Sequence, residues 1–136
     1  MRNVSTHFLS LMVAIAIALT SIGCHRDGLS REERRARQAA ERYYGWLKRG
    51  RIDKFVSHIA YADSMSAAYR DEMAVLMDEH LASLRQQHGA LTDVKAIGQV
   101  VADSLAHVYL QLSFADSTSE EVGLPMVKVG GTWLMQ

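Results

Sequence analysis

Two neighbouring tyrosines, Tyr43 and Tyr44, are the side chains whose type and position could support acid–base chemistry. Trp46 and Phe55 follow closely, and aromatic residues grouped in this way could form the floor of a pocket. A tyrosine hydroxyl could act with Asp53 in an isomerase or a hydrolase if both lined the same concave opening. The alternative is that the aromatic residues form the core, since large aromatic side chains supply much of the buried area of a small domain.

The histidines do not indicate a metal site. His80 and His88 fall on one predicted helix, eight residues apart, so roughly 12 Å separates them along its axis. Zinc–nitrogen bonds are about 2.1 Å long, and the two histidines therefore cannot share an ion through this helix. The sequence indicates no metal and no cofactor.

The single cysteine, Cys24, follows a segment that is typical of exported proteins. Arg2 gives a positive start, and residues 8–19 are an apolar run that is too short for a comfortable membrane span. Residues 21–24 read Ser-Ile-Gly-Cys and resemble the lipobox of bacterial lipoproteins, in which the cysteine is acylated and becomes the mature N-terminus. The alternative is an ordinary signal-peptidase site, which would also cut after Gly23 but would leave Cys24 as a free thiol.

These boundaries predict a signal peptide (1–23), a short tether (24–29) and one folded domain (30–136). Acyl chains on Cys24 would anchor the exported chain to a membrane of the bacterial cell envelope, on the periplasmic side or at the cell surface. The sequence has 15 basic and 15 acidic residues, so its charge gives no reason to expect nucleic acid as a partner.

Helices in the first half of the domain must position the aromatic residues. Ser30 and Glu33 can form a capping box, which predicts a helix that ends near Gly50. A short helix follows from about Asp53. A long helix, from about residue 66 to residue 87, carries an apolar stripe that should face the core. The stripe consists of Tyr69, Met73, Leu76, Met77, Leu81 and Leu84.

The second half predicts four antiparallel strands. Residues 105–114 alternate for their whole length, with apolar side chains on one face and His107, Tyr109 and Gln111 on the other. Gly98 predicts an irregularity in the preceding strand, and Pro125 predicts an edge position or a bulge in the following one. Helices first and antiparallel strands second predict an α+β domain, with the helices on the concave face of a curved sheet.

The order of the elements and several short motifs are similar to those of a known family. The motifs are Tyr43-Tyr44-x-x-Leu47-Lys48-x-Gly50, Ile52-Asp53-Lys54-Phe55 and Leu124-x-x-Val127-Lys128-Val129-x-Gly131-x-Trp133. They resemble a domain of unknown function in small bacterial lipoproteins, described as lumazine-binding-like. That family belongs to the nuclear-transport-factor-2-like superfamily, with a cystatin-like fold. The resemblance covers residues 30–136 and implies the fold, but the superfamily contains enzymes, transport factors and binding modules.

Two functions of different class remain open. The first is a membrane-tethered, non-catalytic binding or interaction module for a small ligand, a peptide or an envelope protein. The second is the small isomerase or hydrolase with a tyrosine and a carboxylate. The inward face of residues 105–114 carries no titratable group, which favours the first. The resemblance implies that the outer face, with His107, Tyr109 and Gln111, packs against another subunit as a homodimer; a solvated face is the alternative.

Overall fold

A computed structural model describes residues 28–136, which form helices followed by a sheet. The helices are α1 (Arg31–Lys48), α2 (Ile52–Ser57) and α3 (Ala67–His88), with a short 3-10 turn (Ala62–Ser64) before α3. The strands are β1 (Leu91–Ala102), β2 (Leu105–Phe114), β3 (Ser119–Val129) and β4 (Thr132–Met135). The predictions for the signal peptide and for Cys24 lie outside the described residues.

The four strands form one antiparallel sheet in chain order, so the predicted α+β fold class is confirmed. The register of β1 against β2 shifts between Ala96 and Gly98, which confirms the irregularity predicted near Gly98. A bulge of this kind leaves one residue, Ile97, without a partner on the neighbouring strand.

The prediction of an edge position or a bulge at Pro125 was wrong. β3 is an inner strand, and it pairs with β2 without a register shift. The carbonyl of Pro125 accepts a hydrogen bond from the amide of Gln136, one residue beyond the end of β4. The N–H and C=O of one residue in an antiparallel strand point the same way. The missing N–H of proline would therefore point at Gln136, beyond the end of β4, so its loss falls outside the β3–β4 ladder.

The core lies between α1 and one face of the sheet. Val108 and Leu110 of β2 are fully buried, and they belong to one apolar cluster with Ala36 and Ala40 of α1. The alanines have no bulk beyond Cβ, so the helix can approach the sheet closely. The buried members of this cluster all come from residues 36–135, so this part of the chain has a core of its own.

The long helix α3 is the least buried of the three helices, because none of its 22 residues is fully buried. Met77, Leu81 and Leu84 pack against the core cluster from one side. Tyr69 and Leu76 are more than half exposed, so their predicted place in the core-facing stripe was wrong. The physical reason is that α1 already covers the sheet, and α3 packs mainly on the short helix α2. In the described part of the chain, no helix combines the length and the apolar character needed to cross a membrane.

Candidate functional site

Tyr43 lies inside the core, and its hydroxyl is already engaged. The hydroxyl donates to the backbone carbonyl of Trp133 in β4, and the ring contacts Trp46 and His58. Burial raises the pKa of the Tyr43 hydroxyl, while the nearby Arg42 partly lowers it. A phenol that is buried, protonated and already donating is poorly placed to exchange a proton with a substrate.

Tyr44 is partly buried and packs edge-on against Phe55, with ring centroids 5.5 Å apart. Burial raises the pKa of the Tyr44 hydroxyl, and the negative charge of Glu120 raises it further. No hydrogen bond joins Tyr44 to Glu120 among the described residues. Sequence reasoning missed this proximity because the alternation of a strand does not indicate which helical residue a carboxylate at its start will approach.

Trp46 and Phe55 have different surroundings. Phe55 is fully buried in the core cluster, which matches the core alternative for this residue. The ring of Trp46 is partly exposed and lies 4.5 Å from the ring of His58. The amino group of Lys54 lies 5.7 Å from the Trp46 ring centroid, within range of a cation–π contact. Trp46 is therefore in contact with a histidine and within cation–π range of a lysine.

The structure does not bring Asp53 to either tyrosine. Its side chain is exposed, and its carboxylate lies 3.9 Å from the guanidinium of Arg51. Asp53 lines a hollow of about 220 Å³ between α2 and α3, together with Arg70 and Asp71. The tyrosine–carboxylate pair that the sequence offered for catalysis is therefore not assembled around Asp53.

Among residues 28–136, the cavity on the helix-facing side of the sheet is small for a ligand. A cavity of about 50 Å³ lies where the ends of α1 and α3 meet the start of β1, with Leu47, Leu81 and Phe114 in its lining. Ligand pockets usually have volumes of about 300–1,000 Å³. No polar or charged residue between positions 28 and 136 is fully buried, and this part of the chain places no three His, Cys, Asp or Glu side chains together for a metal.

The outer face of the sheet is open and largely apolar. Val100 and Leu105 are more than half exposed, and Tyr109 is 37% exposed. The rings of His107 and Tyr109 contact each other, with centroids 4.8 Å apart. A hollow of about 280 Å³ lies beside them, and Val100, Leu105 and Pro125 contribute to its lining. These residues come from three neighbouring strands, so they form one continuous surface.

Two glycines make room for the rings on this face. Gly98 and Gly123 are the register partners of Tyr109 on either side of β2. A Cβ atom at Gly98 would lie 3.6 Å from the Tyr109 ring, whereas a Cβ atom at Gly123 would lie 2.6 Å from Nε2 of His107. The His107 ring therefore lies over Gly123. Sequence reasoning missed this role, although a glycine inside a strand is the usual signal of a close approach.

Gln111 lies between two residues of opposite charge. Its register partners are Lys95 on β1 and Glu121 on β3. Two strand spacings of about 4.8 Å separate Lys95 from Glu121, so they do not pair within the sheet. Neither residue takes part in an ion pair of the described chain. The outer face thus combines an apolar centre with three charged residues, Lys95, Glu121 and Asp93, the last being the register partner of Ser113, and none of them belongs to an ion pair of the described chain.

Helices followed by a four-stranded antiparallel sheet, with the core between them, define an NTF2-like α+β fold. A similar solved structure is that of a Campylobacter jejuni protein provisionally named an NTF2-like transpeptidase. The two are 16% identical with a TM-score of 0.62, over 78% of this chain and 97% of that chain. At this identity the similarity shows the fold alone. No protein-family model and no curated protein matches the sequence. The lipoprotein and lumazine-binding-like parts of the resemblance stay predictions.

Proposed function

We propose that this chain is an exported, lipid-anchored protein of the bacterial cell envelope, which binds protein and catalyses no reaction. The partner that we propose for its outer sheet face is a second copy of the chain. One observation supports this most directly: the helix-facing side is filled with apolar side chains, whereas the outer face leaves Val100, Leu105 and Tyr109 exposed. A continuous apolar patch on a folded domain commonly marks an interaction surface.

The absence of catalysis rests on the separation of the groups that acid–base chemistry needs. An acid and a base must both reach one position on the substrate. The Tyr43 hydroxyl is engaged with the backbone, Asp53 faces the space between α2 and α3, and Tyr44 makes no hydrogen bond to Glu120. The small volume on the helix-facing side gives a substrate little room beside these groups.

Charge complementarity supports a second copy as the partner. A two-fold axis parallel to β2 would stack two outer faces, with β1 of one copy over β3 of the other. Lys95 of one copy would then face Glu121 of the other, and symmetry would form this pair twice. Tyr109 and His107 would meet their own counterparts near the axis. Opposite charges placed in this way fix the register of two otherwise apolar surfaces.

The size of the face sets the expected strength of the dimer. Residues 105–111 of β2 span roughly 20 Å at about 3.4 Å per residue, and three strands span about 10 Å between their axes. The patch is therefore smaller than a standard protein interface, and the dimer should be weak. We therefore expect a dissociation constant on the order of 10 µM for the chain in solution.

Charge reversal tests the dimer. The association of the chain from residue 28 onward is measured by analytical ultracentrifugation, with the variants Lys95→Glu, Glu121→Lys and the double exchange. Each single change places like charges opposite each other twice, so we expect about tenfold weaker association. The double exchange restores the opposite pairing and should restore the association. Lys48→Glu, on the exposed side of α1, is the control and should change nothing.

Two results would overturn the proposed dimer. One is a wild-type chain that stays monomeric well above the expected dissociation constant. The other is a double exchange that associates no better than the single variants. Thermal unfolding of each variant shows whether a loss of association reflects a loss of folding instead.

Lipid anchoring has its own test, because it concerns the predicted modification of Cys24. Mass spectrometry of the mature N-terminal peptide should find Cys24 carrying acyl chains, and the protein should fractionate with membranes. Cys24→Ser should move it to the soluble fraction of exported proteins. An unmodified Cys24 in the mature protein would contradict the anchor and would leave the outer-face dimer untouched.

A further inference from the structure

The exposed side of α3 carries large apolar residues that nothing in the described chain covers. Tyr69, Val75 and Leu76 are each more than half exposed. Tyr69 and Leu76 are seven residues apart, which is about two helical turns, so both side chains lie on the same side of the helix. A helix gains most of its stability from packing an apolar face. This helix has no fully buried residue, so part of its apolar surface lacks such packing.

Carboxylates accompany these apolar residues along the helix. Glu72 and Glu79 are seven residues apart, and so are Asp71 and Asp78. The two pairs therefore form lines parallel to the line from Tyr69 to Leu76. All four are exposed, and no ion pair of the described chain includes any of them. We call this surface the acidic face of α3, and it consists of Tyr69, Asp71, Glu72, Val75, Leu76, Asp78 and Glu79.

A hollow borders the acidic face on its Asp71 side. It has a volume of about 220 Å³, and its lining combines the apolar side chains of Val56 and Ala74 with the carboxylates of Asp53 and Asp71. A lysine or arginine of a partner could place its aliphatic stem against the apolar wall and its charged end beside the carboxylates. Two carboxylates and one basic residue, Arg70, line the hollow, and Asp53 also lies beside Arg51 outside the lining, which leaves Asp71 as the carboxylate without an ion pair.

We propose that the acidic face of α3 is the docking surface for a basic amphipathic helix of a partner protein. Apolar residues at helical spacing receive the apolar stripe of such a helix, and flanking carboxylates attract its lysines and arginines. An anionic membrane surface would be repelled by the same carboxylates. A second copy placed α3 against α3 would bring like charges together. This proposal uses a different surface from the outer-face dimer and does not depend on it.

Peptide binding tests the proposal. The probe is a labelled amphipathic peptide of about 20 residues, with a leucine stripe flanked by lysines, and fluorescence anisotropy measures its binding to the chain from residue 28 onward. A second peptide carries glutamates in place of the lysines. We expect the lysine peptide to bind at least about tenfold more tightly, and its affinity to fall by about tenfold between about 50 mM and about 300 mM salt.

Variants locate the binding on α3. Leu76→Ser should weaken the lysine peptide by about tenfold without changing the salt dependence. Neutralising the four acids of the acidic face, by Asp71→Asn, Glu72→Gln, Asp78→Asn and Glu79→Gln, should weaken it and flatten the salt dependence. These residues are exposed, so the thermal unfolding of the variants should stay close to that of the wild type.

A matched control, called the strand variant, neutralises four exposed acids of the strands and of the turns between them, by Asp93→Asn, Asp103→Asn, Asp116→Asn and Glu120→Gln, and should leave peptide binding unchanged. Equal binding of the two peptides would overturn the proposal. Loss of peptide binding in the strand variant but not in the α3 variants would also overturn it. Self-association of the chain that is lost in Leu76→Ser would also overturn it, since a second copy would then occupy this face.

Discussion

The imidazole ring of His107 lies over the α-carbon of Gly123 on the neighbouring strand, where an added Cβ atom would come within 2.6 Å of Nε2. The register pairs His107 with Pro125 and Tyr109 with Gly123, so the histidine ring leans diagonally towards the glycine. In that position the ring contacts Tyr109. The shape of the outer face therefore depends on a glycine at position 123 of β3, because a side chain there would displace the His107 ring.

Gly123→Ala tests this dependence. The added Cβ atom would force the His107 ring to turn away and would separate it from Tyr109. If the outer face forms the proposed dimer, we expect about tenfold weaker association in analytical ultracentrifugation, with little change in thermal unfolding because the ring is partly exposed. Gly98→Ala is the matched control, since its Cβ atom would make an ordinary 3.6 Å contact with Tyr109. Equal effects of the two substitutions would contradict this role of Gly123.

Strand periodicity explains how much of the fold could be predicted from the sequence. The alternation of residues 105–114 identified the buried face of β2 correctly, because a side chain in a strand can face only one of two directions. Helical periodicity was less informative for α3. A stripe of apolar residues shows which side of a helix can be buried. How much of that side is covered depends on the helices and strands packed against it, and Tyr69 and Leu76 lie outside the covered part.

The candidate site was harder to predict than the fold. The sequence placed Tyr43 and Tyr44 together on one helix, and it could not indicate that the Tyr43 hydroxyl would meet the carbonyl of Trp133, 90 residues away. Residue spacing likewise could not indicate that Glu120 would lie near Tyr44. Contacts of this kind depend on how a helix lies across a sheet, and residue spacing within either element contains no information about that angle.

Removal of the Tyr43 hydroxyl tests its structural role. Tyr43→Phe keeps the ring in the core but removes the hydrogen bond to the Trp133 carbonyl. We expect the free energy of unfolding to fall by about 1–2 kcal/mol, measured by urea denaturation. Tyr44→Phe is the matched control, because the described residues give that hydroxyl no hydrogen bond, and it should change stability by less than about 0.5 kcal/mol. A larger loss from Tyr44→Phe would contradict the different roles assigned to the two hydroxyls.

Glu32 should make the stability of the fold depend on pH. A hydrogen bond from Lys128 lowers the pKa of the Glu32 carboxyl, although partial burial raises the pKa in part. A second hydrogen bond, from the indole of Trp133, lowers the pKa further. Because the folded chain favours the charged carboxylate, Glu32 contributes its full stabilisation above the ordinary glutamate pKa. This stabilisation is lost as the pH falls through the lowered pKa of Glu32 in the folded chain.

Glu32→Gln should therefore melt at a lower temperature than the wild type near neutral pH. The difference should shrink as the pH is lowered from about 7 to about 3, because the wild-type carboxyl then becomes neutral as well. Glu72→Gln is the control, since Glu72 is exposed and belongs to no ion pair of the described residues, and its melting temperature should follow that of the wild type throughout. A difference for Glu32→Gln that stays constant with pH would contradict the assigned cause.

The free edge of β1 is held by two residues of α1 at the point where the strand bulges. Arg37 donates to the carbonyl of Ala96 at 2.6 Å and to the side chain of Gln99 at 2.9 Å, and the amide of Ala96 donates to Glu41 at 2.9 Å. Both backbone groups of Ala96 point away from β2, where an edge strand would otherwise offer them to another chain. Arg37 and Glu41 are one helical turn apart, so a single helix face can bond both groups.

Glu41→Ala leaves the amide of the buried residue Ala96 without its acceptor. We expect the free energy of unfolding to fall by about 1–3 kcal/mol and hydrogen exchange at the Ala96 amide to quicken by about tenfold or more. The double variant Arg37→Ala, Glu41→Ala frees both backbone groups, so it should aggregate on heating at concentrations where the wild type stays soluble. Gln38→Ala, an exposed neighbour on α1, should change none of these quantities. Unchanged exchange at Ala96 in Glu41→Ala would show that β2, rather than α1, protects this amide.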